Sequence, residues 1–321
     1  MKTLVVTDSS ACVSPLFADR EDLRILPVTV QIAGDETPEG VRDDATVWAA
    51  MAEGRHVWAR SPSSGDYLVA VEESGADAVL IVTPAAEFAV MAEHARQAAA
   101  LAGAPVVVVD SRTTASAQGL VVTSTLEAVA DGAPITRVVQ RAREASERAR
   151  LLAIMGGVHW LERTGNVPDA ILQAVREDAG RPLFEVRDGC VVPVESPIGD
   201  PLQALAEAVR QVDDPPDAAS AVYFHSGAAD DAARLQQLLR LPGDVVEFSL
   251  ALALHTGPGV VGLAWLHEPE PLDRPLRLAA RKYAPGSTAR AATPRRSQAG
   301  TTTSNRSLST AFTTARATRS A

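Results

Sequence analysis

The sequence predicts an α/β protein in which a doubly wound, mainly parallel sheet is followed by a second α/β domain. Three observations carry this reading. Short uninterrupted apolar runs stand at Leu4–Thr7, Ala78–Val82 and Pro105–Val109, as expected of parallel strands covered on both faces. Helical segments alternate with them, as at Gly65–Ser74, where Tyr67, Leu68 and Val71 fall on a helical period. Later, Asp188-Gly189 separates two apolar runs, and Asp-Gly is a strong hairpin signal.

In chain order, Leu4–Thr7 and Arg24–Ile32 read as strands, the second ending near Gly34, and Ala45–Glu53 and Gly65–Ser74 as helices. Ala78–Val82 is a strand, Ala86–Ala102 an Ala-rich helix and Pro105–Val109 a strand, with helices at Ser116–Ala130 and Ile135–Ala149. This βαβα order argues for a doubly wound sheet. Leu151–Met155 is apolar, and His159–Arg163 reads as helical before the turn-like Thr164-Gly165-Asn166. Strands at Leu183–Val186 and Cys190–Val194 form the hairpin. A helix at Pro201–Val212, a strand at Ala219–His225, a helix at Ala228–Leu239 and strands at Val245–Leu250 and Gly259–Leu266 follow. The expected domains are 1–150, 151–283 and a tail, 284–321.

The tail differs in composition. Fifteen of its 38 residues are Ser or Thr and none is acidic, so it buries too little apolar surface to offset ordering entropy and is expected to be disordered. Its composition suits a frame-shifted or read-through end as well as a functional basic arm. From Arg274 onward stand ten basic residues and no acidic ones, so residues 1–273 carry a net charge of −20 against −10 for the whole chain. Such a body repels nucleic acid and anionic membrane surfaces. The start lacks the apolar region of a signal peptide, and Phe248–Leu266 is too polar and glycine-broken for a membrane span. Cys12 and Cys190 have no metal-ligand spacing. A soluble cytoplasmic protein is expected.

The polar clusters are few. Thr7-Asp8-Ser9-Ser10 closes the first strand, and Asp110-Ser111 closes a later one. Ligands of parallel sheets bind beyond the carboxyl ends of strands, although a turn with an N-cap would look the same. His255-Thr256-Gly257-Pro258-Gly259 sits between apolar segments and offers donors suited to a carboxylate or phosphate; a structural histidine is the plainer alternative. In Ser61-Pro62-Ser63-Ser64-Gly65-Asp66, Ser63 or Ser64 is explained as a helix N-cap. There is no GxxxxGK[ST], GxSxG or HExxH. Gly257, Gly259 and Gly262 spell GxGxxG but lead into a strand. Residue chemistry therefore favours a binding protein without cofactor, metal or catalytic residues.

In this order the pieces resemble the DegV family. Its TDS-type motif matches Thr7-Asp8-Ser9-Ser10, and its "LPL.V" pattern Leu26-Pro27-Val28-Thr29-Val30. "TSQPSPGEF" corresponds to Ala59 through Tyr67, and "VVDS...S.GLG" to Val108-Val109-Asp110-Ser111 with Ser116, Gly119 and Leu120. "HTGPGALGLAF" corresponds to His255 through Trp265. The resemblance covers residues 1–266. It implies a two-domain DegV-like fold with a long-chain fatty acid in an apolar tunnel between the domains. The carboxylate would be held by hydroxyls and the histidine, and presented to a separate, dihydroxyacetone-kinase-like fatty acid kinase subunit. Carried over by position, the ligand contacts are His255, Thr256, Gly257, Ser9, Ser10, Asp8, Ser61, Thr83 and Arg163.

The chain departs from the pattern in places. Ala59 stands for the family's threonine, and Thr83-Pro84-Ala85-Ala86 replaces its hydroxyl-bearing SGT segment. Asn166 stands for an arginine, with Arg163 nearby, and Glu195-Ser196-Pro197 for a basic segment. These changes remove donors and positive charge where an acyl phosphate would need them. A diverged carrier of another apolar ligand without a kinase partner is therefore one alternative; a Ser/His acyl-ester hydrolase is another.

Overall fold

The apolar runs Leu4–Val6 and Ala78–Val82 lie in strands buried on both faces. The computed structural model describes residues 2–156, 181–195, 199–213, 216 and 221–267. Strand β1 (Thr3–Asp8) is buried throughout and ends in a 3-10 turn, Ser9–Ala11, capped by the Asp8 side chain. A short helix α1 (Pro15–Ala18) leads to β2 (Leu23–Leu26), parallel to β1. Next come β3 (Thr29–Ile32), β4 (Asp35–Pro38), helix α2 (Asp44–Ala52) and β5 (Val57–Arg60). Helix α3 (Ser64–Glu73), β6 (Ala78–Thr83), α4 (Met91–Leu101) and β7 (Val106–Asp110) follow, then α5 (Ala115–Ala130) and α6 (Ile135–Arg148).

Two corrections fall in this half. Arg24–Ile32 is two strands in two sheets: Pro27, which lacks an N–H, stands between β2 and β3. The helix expected from Ala86 begins only at Met91; before it the chain makes a turn, with the Phe88 amide on the Ala85 carbonyl at 2.9 Å. Strands β4 and β5 were not foreseen; β4 is polar and mostly exposed, so it shows no buried-face alternation.

The first sheet has the order β2-β1-β6-β7, all parallel. One face packs Leu4, Val6, Val79 and Ile81 against Tyr67 and Val71 of α3 and Ala95 of α4. On the other, Val5, Leu80 and Val82 meet Val121 and Leu126 of α5 and Val138 of α6. Helices cover both faces, so the sheet is doubly wound. The connections leave β1 and β6 in opposite directions, placing the topological switch point between those two strands.

The second sheet is built from β8 (Ala149–Ile154), β9 (Leu183–Arg187), β10 (Cys190–Pro193), β11 (Val222–His225), β12 (Asp244–Glu247) and β13 (Val261–Leu266). Its order is β10-β9-β8-β13-β11-β12, antiparallel except for β11 with β12. Asp188 and Gly189 turn the β9–β10 hairpin with φ of 52° and 78°, the left-handed pair that an Asp-Gly hairpin requires. Helices α7 (Pro201–Gln211) and α8 (Ala229–Leu239) cover one face through Leu202, Leu205 and Leu235 against Leu152, Tyr223 and Trp265. The other face rests on α5, buried from Ala115 to Val122, in the cluster that also holds Leu151, Ala153 and Ala264.

The strand expected at Val245–Leu250 stops at Glu247, and Leu250–Thr256 forms helix α9. Its Leu250 and Leu254 pack on Val30 and Ile32 of the small antiparallel sheet β4-β3-β5, together with Val47 and Met51 of α2. Apolar contact on that sheet, joined to the high helix propensity of Leu and Ala, overrides the strand-like look of the run. The helical expectation for His159–Arg163 and the tail both lie outside the described residues.

Candidate functional site

Three of the expected residues meet where β1 ends beside β6. Asp8 is fully buried. It accepts the Ser10 amide at 3.0 Å, the Ser10 hydroxyl, and the Gln118 side-chain amide of α5 at 3.1 Å. Gln118 also donates to Thr7 Oγ1 at 3.1 Å, whose own hydroxyl donates to the Val82 carbonyl at 3.0 Å. Burial pushes the Asp8 carboxyl up to about 6; the Ser10 and Gln118 bonds oppose this and the charge of Glu39 adds to it. Thr83 closes β6 on the neighbouring strand. Its hydroxyl is buried without a partner, as is that of Tyr67 on α3. Each such orphan costs about 1–3 kcal/mol unless a ligand or a water is held there.

Ser9 faces a different partner. Its hydroxyl donates to Glu39, just beyond β4, and receives the Val28 amide at 2.9 Å. The other oxygen of Glu39 accepts the Ser249 hydroxyl at 2.7 Å and the Ala251 amide at 3.1 Å. One carboxylate therefore gathers donors from the end of β1 and from the start of α9. Cys12 supports the same seam: its sulfur accepts the Ser249 amide at 3.2 Å. Burial raises the Cys12 thiol far above its ordinary value, which makes it a poor nucleophile.

His255, Thr256 and Gly257 occupy the far end of α9. The imidazole of His255 is exposed, yet enough protein surrounds it to hold its pKa below the ordinary histidine value through lost hydration. The Thr256 hydroxyl donates back to the Leu252 carbonyl at 3.4 Å, and the Gly257 amide caps the helix on Ala253 at 2.7 Å. Thr256 thus has lone pairs to offer, while the amide of Gly257 is already used. Ser61 lies half-buried between β5 and α3. Ser63 and Asp66 form the capping box of α3, with Ser63 N to Asp66 Oδ2 at 2.7 Å and Asp66 N to Ser63 Oγ at 3.2 Å. Arg163 and Asn166 lie outside the described residues.

Asp8, Ser10 and Thr83 are thus gathered at adjoining strand ends, and the Ser9–Glu39–Ser249 bridge joins that region to α9. Sequence reasoning missed Glu39, Gln118, Tyr67 and Ser249. Gln118 had a signal, a polar side chain inside the otherwise buried run Ala115–Val122; Glu39 had none. Among the described residues, no three His, Cys, Asp or Glu side chains cluster to hold a metal ion, and no helix is long and apolar enough to cross a membrane.

Comparison with known proteins shows the family and the fold. The family described as "Uncharacterised protein, DegV family" matches residues 2–268. A DegV domain-containing protein of Streptomyces coelicolor is 26% identical over 278 residues, covering 81% of this chain and 96% of its own. Among solved structures, a DegV family protein from Thermus thermophilus described as fatty acid binding superposes with a TM-score of 0.76 at 21% identity. It matches over 84% of this chain and 100% of its own. A fatty acid binding DegV family protein from Streptococcus agalactiae gives 0.73 at 22% identity, with the same coverage. These structures share the arrangement of two α/β domains. The chain is a member of the DegV family.

Proposed function

We propose that this chain is a carrier that binds one long-chain fatty acid between an N-terminal unit reaching to about residue 150 and the unit that follows. The observation that carries this reading is the polar cluster of Asp8, Ser10 and Thr83 at the switch point of the first sheet, where Thr83 leaves a buried hydroxyl unpartnered. Ligands of doubly wound sheets bind at that place, and the fold's solved relatives from Thermus thermophilus and Streptococcus agalactiae bind fatty acids. The acyl chain would lie in the apolar layer between α5 and the second sheet, where Val121, Phe184 and Phe248 belong to one core cluster. Each methylene buried there contributes about 0.8 kcal/mol. His255 and Thr256, with Ser61 and Thr83, would fix the head group; Arg163 is a further candidate.

Presentation of the carboxylate to a separate kinase subunit is the finer step that the resemblance implies. A second reading, another apolar ligand and no kinase, is favoured by the two alanines, Ala59 and Ala86, and by the acid Glu39 hydrogen-bonded to Ser9. Titration of delipidated protein with oleate and with methyl oleate tests the choice. Preference for the acid near pH 6 supports the carrier reading; ester bound as well as acid supports the second; binding of neither removes both.

A further inference from the structure

The switch point holds a buried acid, Asp8, at the end of β1. Among the described residues no lysine, arginine or histidine is bonded to Asp8, and its partners are the neutral donors of Ser10 and Gln118. Strand alternation sets Thr83 in the row Val79–Ile81, which packs against Tyr67 and Val71 of α3. Asp8 ends the neighbouring strand, and its carboxylate reaches Gln118 of α5 on the other face. Two orphan hydroxyls, of Thr83 and Tyr67, therefore stand near a buried carboxyl. The titratable groups around it are Glu39 beyond β4, Tyr67 and Asp66 on α3, and Cys12 after the 3-10 turn. Asp110 ends β7, paired with Thr83. All of these are neutral or negative.

We infer that Asp8 carries a proton whenever a carboxylate ligand binds at the switch point and shares it with that carboxylate, so that the protein takes up one proton for each acid bound. The inference rests on the fatty-acid reading. Two carboxylates within bonding reach at Asp8, to which no cation is bonded among the described residues, do not both stay ionised. With one proton between them they form a charge-assisted O–H···O⁻ bond, and Thr83 and Tyr67 supply further donors. The proton comes from solvent, and no covalent bond other than the O–H is made. Burial already raises the Asp8 carboxyl to about 6 in the empty site. Above that value the free protein has lost the proton that the complex keeps, so affinity falls as pH rises; below it the dependence levels off.

Titration calorimetry of the full chain with oleate, in two buffers of different ionisation heat at about pH 6, 7 and 8, reads the proton directly. The expected result is uptake approaching one proton per oleate at the highest pH and a Kd that rises about tenfold per pH unit. His255 would give a slope of the same sign, because losing its charge also weakens an anion. Asp8→Asn should therefore flatten the slope and abolish proton uptake, whereas His255→Gln should preserve both. A slope that survives Asp8→Asn and disappears in His255→Gln overturns the inference. So does oleate binding without proton uptake by the unsubstituted protein, which decides the matter even if Asp8→Asn does not fold. Failure of oleate to bind at every pH instead overturns the carrier reading, and this inference with it.

Discussion

Ser249 donates its hydroxyl to Glu39 at 2.7 Å, joining the start of α9 to the chain beyond β4 across 210 residues of sequence. The same carboxylate takes the Ser9 hydroxyl and the Ala251 amide. A single half-buried side chain thereby fixes how α9, and with it His255, is seated on the small sheet.

Glu39→Ala should destabilise the protein by about 2–4 kcal/mol, because it leaves two hydroxyls and one amide without their acceptor. Glu39→Gln, which keeps an acceptor oxygen, should cost about half as much. Urea denaturation with an unchanged slope and a lowered midpoint is the measurement.

The pH dependence of stability should carry the mark of Asp8. Its carboxyl stands at about 6 in the folded chain against an ordinary 3.8. Between those values the folded state binds the proton more tightly than the unfolded state does. Stability therefore falls as pH rises through this window, by up to about 3 kcal/mol, the reverse of the usual aspartate case. Asp8→Asn should remove that fall, so the difference between variant and parent should grow from about pH 4 to pH 6 and then stay level. Denaturation at a series of pH values measures it.

Gly119 faces a backbone wall. A Cβ there would stand 2.5 Å from the Ala11 carbonyl oxygen, because α5 presses directly on the 3-10 turn that carries Ser9 and Ser10. Gly119→Ala should cost about 1–3 kcal/mol through forced separation of the two, read as a lower thermal midpoint.

His255→Ala should leave stability within about 0.5 kcal/mol, since the side chain is exposed at a helix end. Lipid retention should nevertheless fall. Thermal melts and the lipid content of purified variant protein separate the two effects.

Much of the fold was legible because burial is written into short apolar runs: β1, β6 and β7 lie where Leu4–Thr7, Ala78–Val82 and Pro105–Val109 placed them. The β9–β10 turn was legible in Asp188-Gly189 because its backbone is left-handed at both residues. Other features depend on contacts between distant segments. α9 was hidden because Leu250–Leu254 is apolar without a polar face, and only its seat on Val30 and Ile32 decides between helix and strand. The polar end of β1 was legible as a cluster, but Glu39 was not: an acid after a proline in an exposed strand carries no local sign that two serines will converge on it. Tyr67 was counted as part of a helix's apolar stripe, and only the structure shows its hydroxyl buried without a partner beneath the sheet's ends.

Native mass spectrometry of the purified protein, followed by extraction and identification of any bound lipid, shows whether the chain carries a fatty acid. The expected result is one long-chain fatty acid per chain, recovered intact as the acid. Protein that is lipid-free and also fails to take up added palmitate or oleate would contradict it.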